Sequence, residues 1–185
     1  MLCDIFIRSS EQKILSFFVM NPDQSFYTRQ ISRRLKISLG AVHQSLSLLE
    51  KNGILVPQNV GKTKLYRLES FNPILNAFKI LNTLLILEPL TQALKDNTRR
   101  LILYGSYSTG TFTSESDLDL FIVSEEKEKI MNNIDNFARK KNLNIRPIIK
   151  SLVEWIRLEK EDPGFFNEVN FGIALWEKPI DERGF

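Results

Sequence analysis

Two short stretches hold the residue types and spacings on which chemistry could rest. An apolar run, Leu101-Ile102-Leu103-Tyr104, ends abruptly at Gly105-Ser106, and a string of small residues follows as far as Gly110. Shortly afterwards, Ser116-Asp117-Leu118-Asp119-Leu120 sets two carboxylates two residues apart in a second apolar run. A glycine directly after a strand lets the backbone approach a ligand closely and take up angles barred to other residues. Ser106 then opens a helical turn whose free N–H groups favour phosphate oxygens, and Gly110 ends it. Alternate side chains of a strand project from one face, so Asp117 and Asp119 point the same way and repel each other unless a cation neutralises them. Hard oxygen donors suit Mg²⁺, which also binds triphosphate oxygens. With paired metals about 3.5–4 Å apart, one could activate an incoming hydroxyl while the other steadies a leaving pyrophosphate.

The elements that must position these groups can be read from periodicity. Arg99-Arg100 lead into a strand over Leu101–Tyr104, and Asp117–Val123 is a second. Glu125–Lys141 has the pattern of a charged amphipathic helix, Asn144–Ile149 of a third strand, and Ser151–Glu159 of another helix. Pro163-Gly164 punctuates, Phe165–Val169 is a further short helix, and Gly172–Trp176 an edge strand. A small mixed sheet flanked by helices follows, within an α+β chain.

The series Gly105-Ser106 to Gly110, then Ser116-Asp117-Leu118-Asp119, resembles the signature of the nucleotidyltransferase superfamily related to DNA polymerase beta. It is most similar to the minimal nucleotidyltransferase branch, over residues 98–185. The resemblance implies that Gly105, Ser106 and Ser116 bind nucleotide phosphates, that Asp117 and Asp119 hold Mg²⁺ or Mn²⁺ and carry the catalysis, and that an NTP is substrate or ligand. It also implies a third carboxylate on the next strand, as metal ligand and base. Here that strand offers Asn144 and Arg146. Asn144 can lend an amide oxygen to a metal but cannot take a proton at neutral pH. Arg146 repels a cation yet could clamp a phosphate bidentately. Loss of a general base costs about 10²–10⁴ in rate, so nucleotide binding should survive better than turnover. Glu154 is either a substitute acid or a solvated helical glutamate. Tyr107 and Phe112 either stack on a base or pack internally.

Composition narrows the alternatives. Of the 185 residues, 43% are hydrophobic and 25% charged, as in globular proteins. A single cysteine, Cys3, excludes an internal disulfide framework and argues against a thiolate metal site. The single histidine, His43, argues against a histidine triad or metal cluster. Met1–Ser10 lacks a basic head followed by an apolar stretch, and Ile74–Leu90 is interrupted by Asn76, Lys79, Asn82 and Glu88. These features lead to the expectation of a cytoplasmic protein without a membrane span.

The net charge of +3 is unevenly distributed. Residues 1–70 hold ten Lys/Arg against five Asp/Glu, and residues 71–185 fifteen against seventeen. A basic N-terminal third is the footprint of a nucleic-acid-binding module. Glu11–Met20 and Thr28–Leu35 read as helices, and Ser38 caps a third in which Leu39, Val42, Leu46 and Leu49 face inward. Asn52-Gly53 ends that helix. The runs Ile54–Val56 and Lys64–Leu68 flank Gly61-Lys62 as a hairpin with a basic tip. Three helices and a hairpin resemble the winged helix-turn-helix over Glu11–Glu69. That resemblance implies double-stranded DNA as partner, with Ser38, His43 and Gln44 entering a major groove and Arg29, Arg33, Arg34, Lys62 and Lys64 on phosphates. The competing reading is a solvated basic face, or a module for dimerisation or protein docking.

The expected organisation is therefore residues 1–70 as a winged helix, 71–97 as connecting helices and 98–185 as a minimal nucleotidyltransferase domain. The connector Asn72–Leu94 is either one helix broken near Glu88-Pro89 or two, apolar on more than one face. It packs either between domains or in a homodimer seam. Two functions stand: metal-dependent transfer of an NMP from NTP to a hydroxyl acceptor, targeted by the winged helix, or a DNA-binding regulator whose degenerate nucleotidyltransferase domain senses a nucleotide. A scaffold carrying a relic site is the third.

Overall fold

The computed structural model describes residues 2–69 and 72–178. The boundary suggested at residue 70, and the last residues of the 98–185 segment, lie outside them. The chain divides into two compact units, Met1–Leu85 with Phe112–Glu115, and Ile86–Thr111 with Ser116–Phe185.

In the first unit a single turn, α1 (Cys3–Phe6), precedes α2 (Ser10–Val19). Helix α2 starts at a reciprocal cap: the Gln12 N–H donates to Ser9 Oγ at 3.2 Å, and the Ser9 N–H donates to Gln12 Oε1 at 3.0 Å. Strand β1 (Phe26–Tyr27) leads into α3 (Thr28–Leu35), and α4 (Leu39–Lys51) follows after a turn through Lys36 at φ 55°. Ser38 caps α4 by accepting from the Ala41 N–H at 3.3 Å. Val42, Leu46 and Leu49 are buried as their spacing requires, but Leu39 is 48% exposed. It occupies the first helical position, a turn too early for the core, and Ser45 is buried alongside the leucines by donating to Glu11 Oε1 at 2.9 Å.

Strands β2 (Leu55–Val60) and β3 (Thr63–Leu68) form an antiparallel hairpin closed by Gly61-Lys62, with Gly61 at φ 61°. Strand β1, too short to leave a period, adds to β3 and gives the order β1-β3-β2. The core gathers Ile14, Phe18, Phe26, Ile31, Leu55 and Leu68, and the rings of Phe17 and Phe26 lie 4.6 Å apart.

Helix α5 (Pro73–Leu94) continues through Pro89 where a break was expected. Proline in a helix costs about 3 kcal/mol, and the burial of Leu85, Leu87, Leu90 and Leu94 around it offsets that cost. With the 3₁₀ turn after it, Pro73–Asn97 is long and apolar enough, by length and composition, to cross a membrane. Three of its polar side chains nevertheless make hydrogen bonds, although Asn82 Nδ2 is buried without a partner. Asn82 Oδ1 accepts from the Ser16 hydroxyl at 2.6 Å, Lys79 Nζ donates to the Phe112 carbonyl at 3.3 Å, and Thr83 donates to the Lys79 carbonyl at 2.9 Å. Phe112, 1% exposed, lies under the Lys79 ammonium at 5.0 Å, and the Ser114 N–H donates to Asp23 Oδ2 at 2.9 Å, so residues 112–115 are held by the first unit.

The second unit is a four-stranded mixed sheet. Strand β4 (Arg100–Tyr104) is followed by the short helix α6 (Gly105–Thr109), then β5 (Leu118–Val123), α7 (Lys127–Lys141), β6 (Ile145–Lys150), α8 (Leu152–Glu161), α9 (Pro163–Asn170) and β7 (Ile173–Glu177). The order is β6-β5-β4-β7; β5 and β6 are parallel, as the intervening α7 allows, and the other pairs antiparallel. Strands β4 and β5 are buried, and α8 and α9 cover the face bearing Ile102, Tyr104, Phe121 and Val123 through Trp155, Leu158 and Val169.

Gly172, between α9 and β7, has no space for a side chain: an added Cβ would lie 2.5 Å from the Leu103 carbonyl oxygen and 2.9 Å from that of Val169. Both are backbone atoms and cannot swing away. Gly172→Ala is expected to destabilise the protein by about 1–3 kcal/mol, read as a lower urea midpoint, and an unchanged midpoint would contradict the packing described.

Candidate functional site

Strand β4 delivers the glycine turn. Gly105 has φ 67°, a conformation that strains any other residue, and a Cβ there would lie 2.6 Å from Asp119 Oδ2. The turn and the second carboxylate are thus in direct apposition, because β4 and β5 pair with Tyr104 opposite Asp119. Helix α6 ends at Gly110, φ 72°, and the Ser106 carbonyl accepts from the N–H groups of Gly110 and Thr111 and from the Thr109 hydroxyl. Ser106 and Ser116 are half-buried at either end of this segment.

Asp117 precedes β5 by one residue and Asp119 lies within it, both half-buried, while Leu118 and Leu120 fill the other face. The parallel partner β6 sets Arg146 beside Asp119 in register. Asn144 Nδ2 donates to Asp117 Oδ1, and Arg146 Nη1 lies 4.0 Å from Asp117 Oδ2 with its side chain 71% exposed. Burial pushes the Asp119 carboxyl above its ordinary range; Arg146 pulls it back, and the charges of Asp117 and Glu168 push it further up. Burial likewise drives the Tyr104 phenol up to about 12, with Asp119 and Glu168 adding to it.

Two adjacent acids, with the ionisation of Asp119 opposed by burial and by the charge of Asp117, make a seat for a hard cation. Among the described residues no three His, Cys, Asp or Glu side chains converge on one metal position. That still fits Mg²⁺, which is ordinarily held by one or two carboxylates and substrate phosphates.

Tyr107 and Phe112 are 7% and 1% exposed, so both are packing residues and neither is open to stack on a base. Glu168 on α9 carries a charge felt at Tyr104 and Asp119 that sequence reasoning missed, since an exposed glutamate on a short helix has no local signal.

In the first unit a groove of about 680 Å³ is lined by Tyr27, Arg29, His43, Lys62, Lys64 and Tyr66, among others. Arg33, Arg34, Ser38 and Gln44 are not among its lining residues. The Arg34 guanidinium lies over the Phe26 ring at 5.0 Å, the Ser38 hydroxyl is the α4 cap, and Lys64 pairs with Glu50 at 3.1 Å.

A family model described as "Nucleotidyltransferase domain" matches residues 87–171. The chain is 36% identical over 90 residues to a candidate protein adenylyltransferase of Methanocaldococcus jannaschii, a stretch covering 44% of this chain and 83% of that protein. Among solved structures, a candidate nucleotidyltransferase from Sulfolobus solfataricus is 19% identical with a TM-score of 0.36, covering 60% of this chain and 91% of that one.

Glu154 has a structural task. Its carboxylate accepts from the Ser151 N–H at 2.7 Å in the α8 cap and pairs with Lys127 at 3.2 Å. The Ser151 backbone first, then the Ser151 hydroxyl and Lys127, hold its pKa down to about 2 from 4.5. A depressed folded-state pKa means stability that is present above pH 4.5 and lost as pH falls towards 2. Glu154→Gln, which can still cap, is expected to flatten the fall in melting temperature across that window relative to the parent protein. Identical acid limbs would refute the assignment.

Proposed function

The chain belongs to the nucleotidyltransferase domain family, and on that premise we propose that it transfers a nucleoside monophosphate from an NTP to a hydroxyl acceptor, using a divalent cation held by Asp117 and Asp119. The observation that carries this reading is the apposition of Gly105 and Asp119, with 2.6 Å between a would-be Cβ and the carboxylate oxygen. It brings a backbone turn suited to phosphate beside a carboxylate suited to a cation. A bound Mg²⁺ or Mn²⁺ would neutralise the triphosphate and stabilise the charge that develops on the leaving pyrophosphate. In this reading Gly105, Ser106 and Ser116 seat the phosphates through N–H and hydroxyl donors. Arg146, largely exposed beside Asp117, turns its guanidinium to a phosphate, and Asn144 orients Asp117 by hydrogen bonding.

The first unit serves as the targeting module in this proposal. Helices α2, α3 and α4 and the basic hairpin support a winged helix-turn-helix over residues 1–70, joined through residues 71–97 to a nucleotidyltransferase domain over 98–185. Duplex DNA then lies along the groove lined by Arg29, His43, Lys62 and Lys64, with Ser38 at the α4 cap, Gln44 within α4, and Arg33 and Arg34 on flanking phosphates. The name of the Methanocaldococcus jannaschii relative suggests a protein hydroxyl as acceptor.

A second reading has its own observation: β6 presents Asn144 and Arg146 to the acidic pair where an additional acid would aid turnover. In that case the site senses NTP without consuming it, and the protein is a nucleotide-responsive DNA-binding regulator.

Pyrophosphate release from NTP with Mg²⁺ or Mn²⁺ tests the first reading. We expect release from the parent protein and its loss in Asp117→Ala/Asp119→Ala. NTP binding without release, accompanied by a shift in duplex affinity, would instead favour the regulator.

Duplex affinity should fall steeply with salt, and Lys62→Ala should reduce the slope of log K against log[salt] by about one. Salt-independent binding, or none, would remove the targeting role.

A further inference from the structure

The first turn of α4 carries two adjacent residues that packing within the first unit leaves without a task. Leu39 holds the first helical position, yet it is 48% exposed, whereas Val42, Leu46 and Leu49 of the same helix are buried. Gly40 follows it. A Cβ built on Gly40 would meet no atom within 4 Å, and Gly40 is not among the glycines at positive φ. Glycine favours a helix less than alanine does, so neither crowding nor backbone conformation calls for glycine here. A lone exposed leucine needs no explanation. An exposed leucine beside a glycine that the fold does not require points to a surface that comes close to this turn and covers Leu39.

The groove indicates what that surface is. Leu39 and His43, one turn apart on the same side of α4, line the same groove of about 680 Å³ as Arg29, Lys62 and Lys64. Arg29 comes from α3 and the two lysines from the hairpin around Gly61-Lys62, so cations from two elements meet an apolar residue from a third. That combination suits a polyanion which also presents an apolar group. Duplex DNA is one: phosphates line its edges, and in the major groove thymine alone among the four bases offers a methyl group. An acidic peptide would match the cations but has no fixed apolar group beside its charges.

We propose that Leu39 is a specificity-determining residue whose side chain packs on the C5-methyl group of a thymine in the major groove, while Gly40 keeps the helix surface bare so that the duplex can approach. The inference rests on the duplex-binding reading of the first unit and deepens it by naming the base that is read.

Duplexes that bind the full chain are selected from a random pool, and the tightest is remade with deoxyuridine in place of each thymidine in turn, which removes only the methyl group. For the parent protein one such replacement should weaken binding by about three- to fivefold, the worth of one buried methyl. Leu39→Ala should bind the thymine and uracil forms of that duplex equally. Gly40→Ala should melt at the same temperature as the parent or higher, since alanine suits a helix better, yet bind the selected duplex about tenfold more weakly, as overfilling a close contact does. Equal binding of every uracil form by the parent, or a thymine preference that survives in Leu39→Ala, overturns the assignment to Leu39 while leaving duplex binding intact. Undiminished duplex affinity in Gly40→Ala overturns the close approach at this turn. A selection that enriches no duplex overturns the targeting reading, and this inference with it.

Discussion

The close approach of Gly105 to Asp119 is the constraint around which the C-terminal unit is organised. The antiparallel pairing of β4 and β5 sets Tyr104 opposite Asp119, so the chain leaving β4 must turn at once over a carboxylate. Only a residue without a side chain can do so, and only in the left-handed region that Gly105 adopts. The turn in α6 and its stop at Gly110 follow from that geometry, as does the burial of Leu101, Leu103, Leu118 and Leu120 that fixes the two strands. Backbone donors and carboxylate acceptors are thereby set in place by the sheet before any ligand arrives, the kind of preorganisation that electrostatic stabilisation of a reacting group requires.

Charge at the sheet's end is balanced in an unusual way. The parallel register of β5 and β6 puts a guanidinium, not a carboxylate, next to Asp119. Arg146 lowers the cost of holding Asp119 ionised, whereas Asp117 and Glu168 raise it. The pair is thus faced by a cation on a long side chain that is 71% exposed.

Much of this was legible in the sequence because the signals are local. Gly105, Gly110, Ser38 and Asn52-Gly53 mark turns and caps through backbone chemistry that hardly depends on the rest of the chain, and the Asp117/Asp119 spacing fixes a common face. What escaped was non-local. The two-residue strand β1 exists only because β3 offers an edge. The continuity of α5 through Pro89 depends on leucines buried around it. Leu39 obeys helical spacing but stands outside the core, and α9 meets the sheet through an aromatic contact between Phe165 and Tyr104 that has no local signal.

The segment between the glycine turn and the aspartates has a bearing on how such a module could travel between proteins. Phe112 is seated beneath Lys79, and the Ser114 amide is satisfied by Asp23, although both halves of the signature flank that segment in the chain. A fragment cut out from residue 98 onward would keep the signature yet carry a stranded aromatic and an orphaned amide in its midst. Truncation at that point would therefore remove the partners of both groups and weaken the loop that joins the glycine turn to the aspartates.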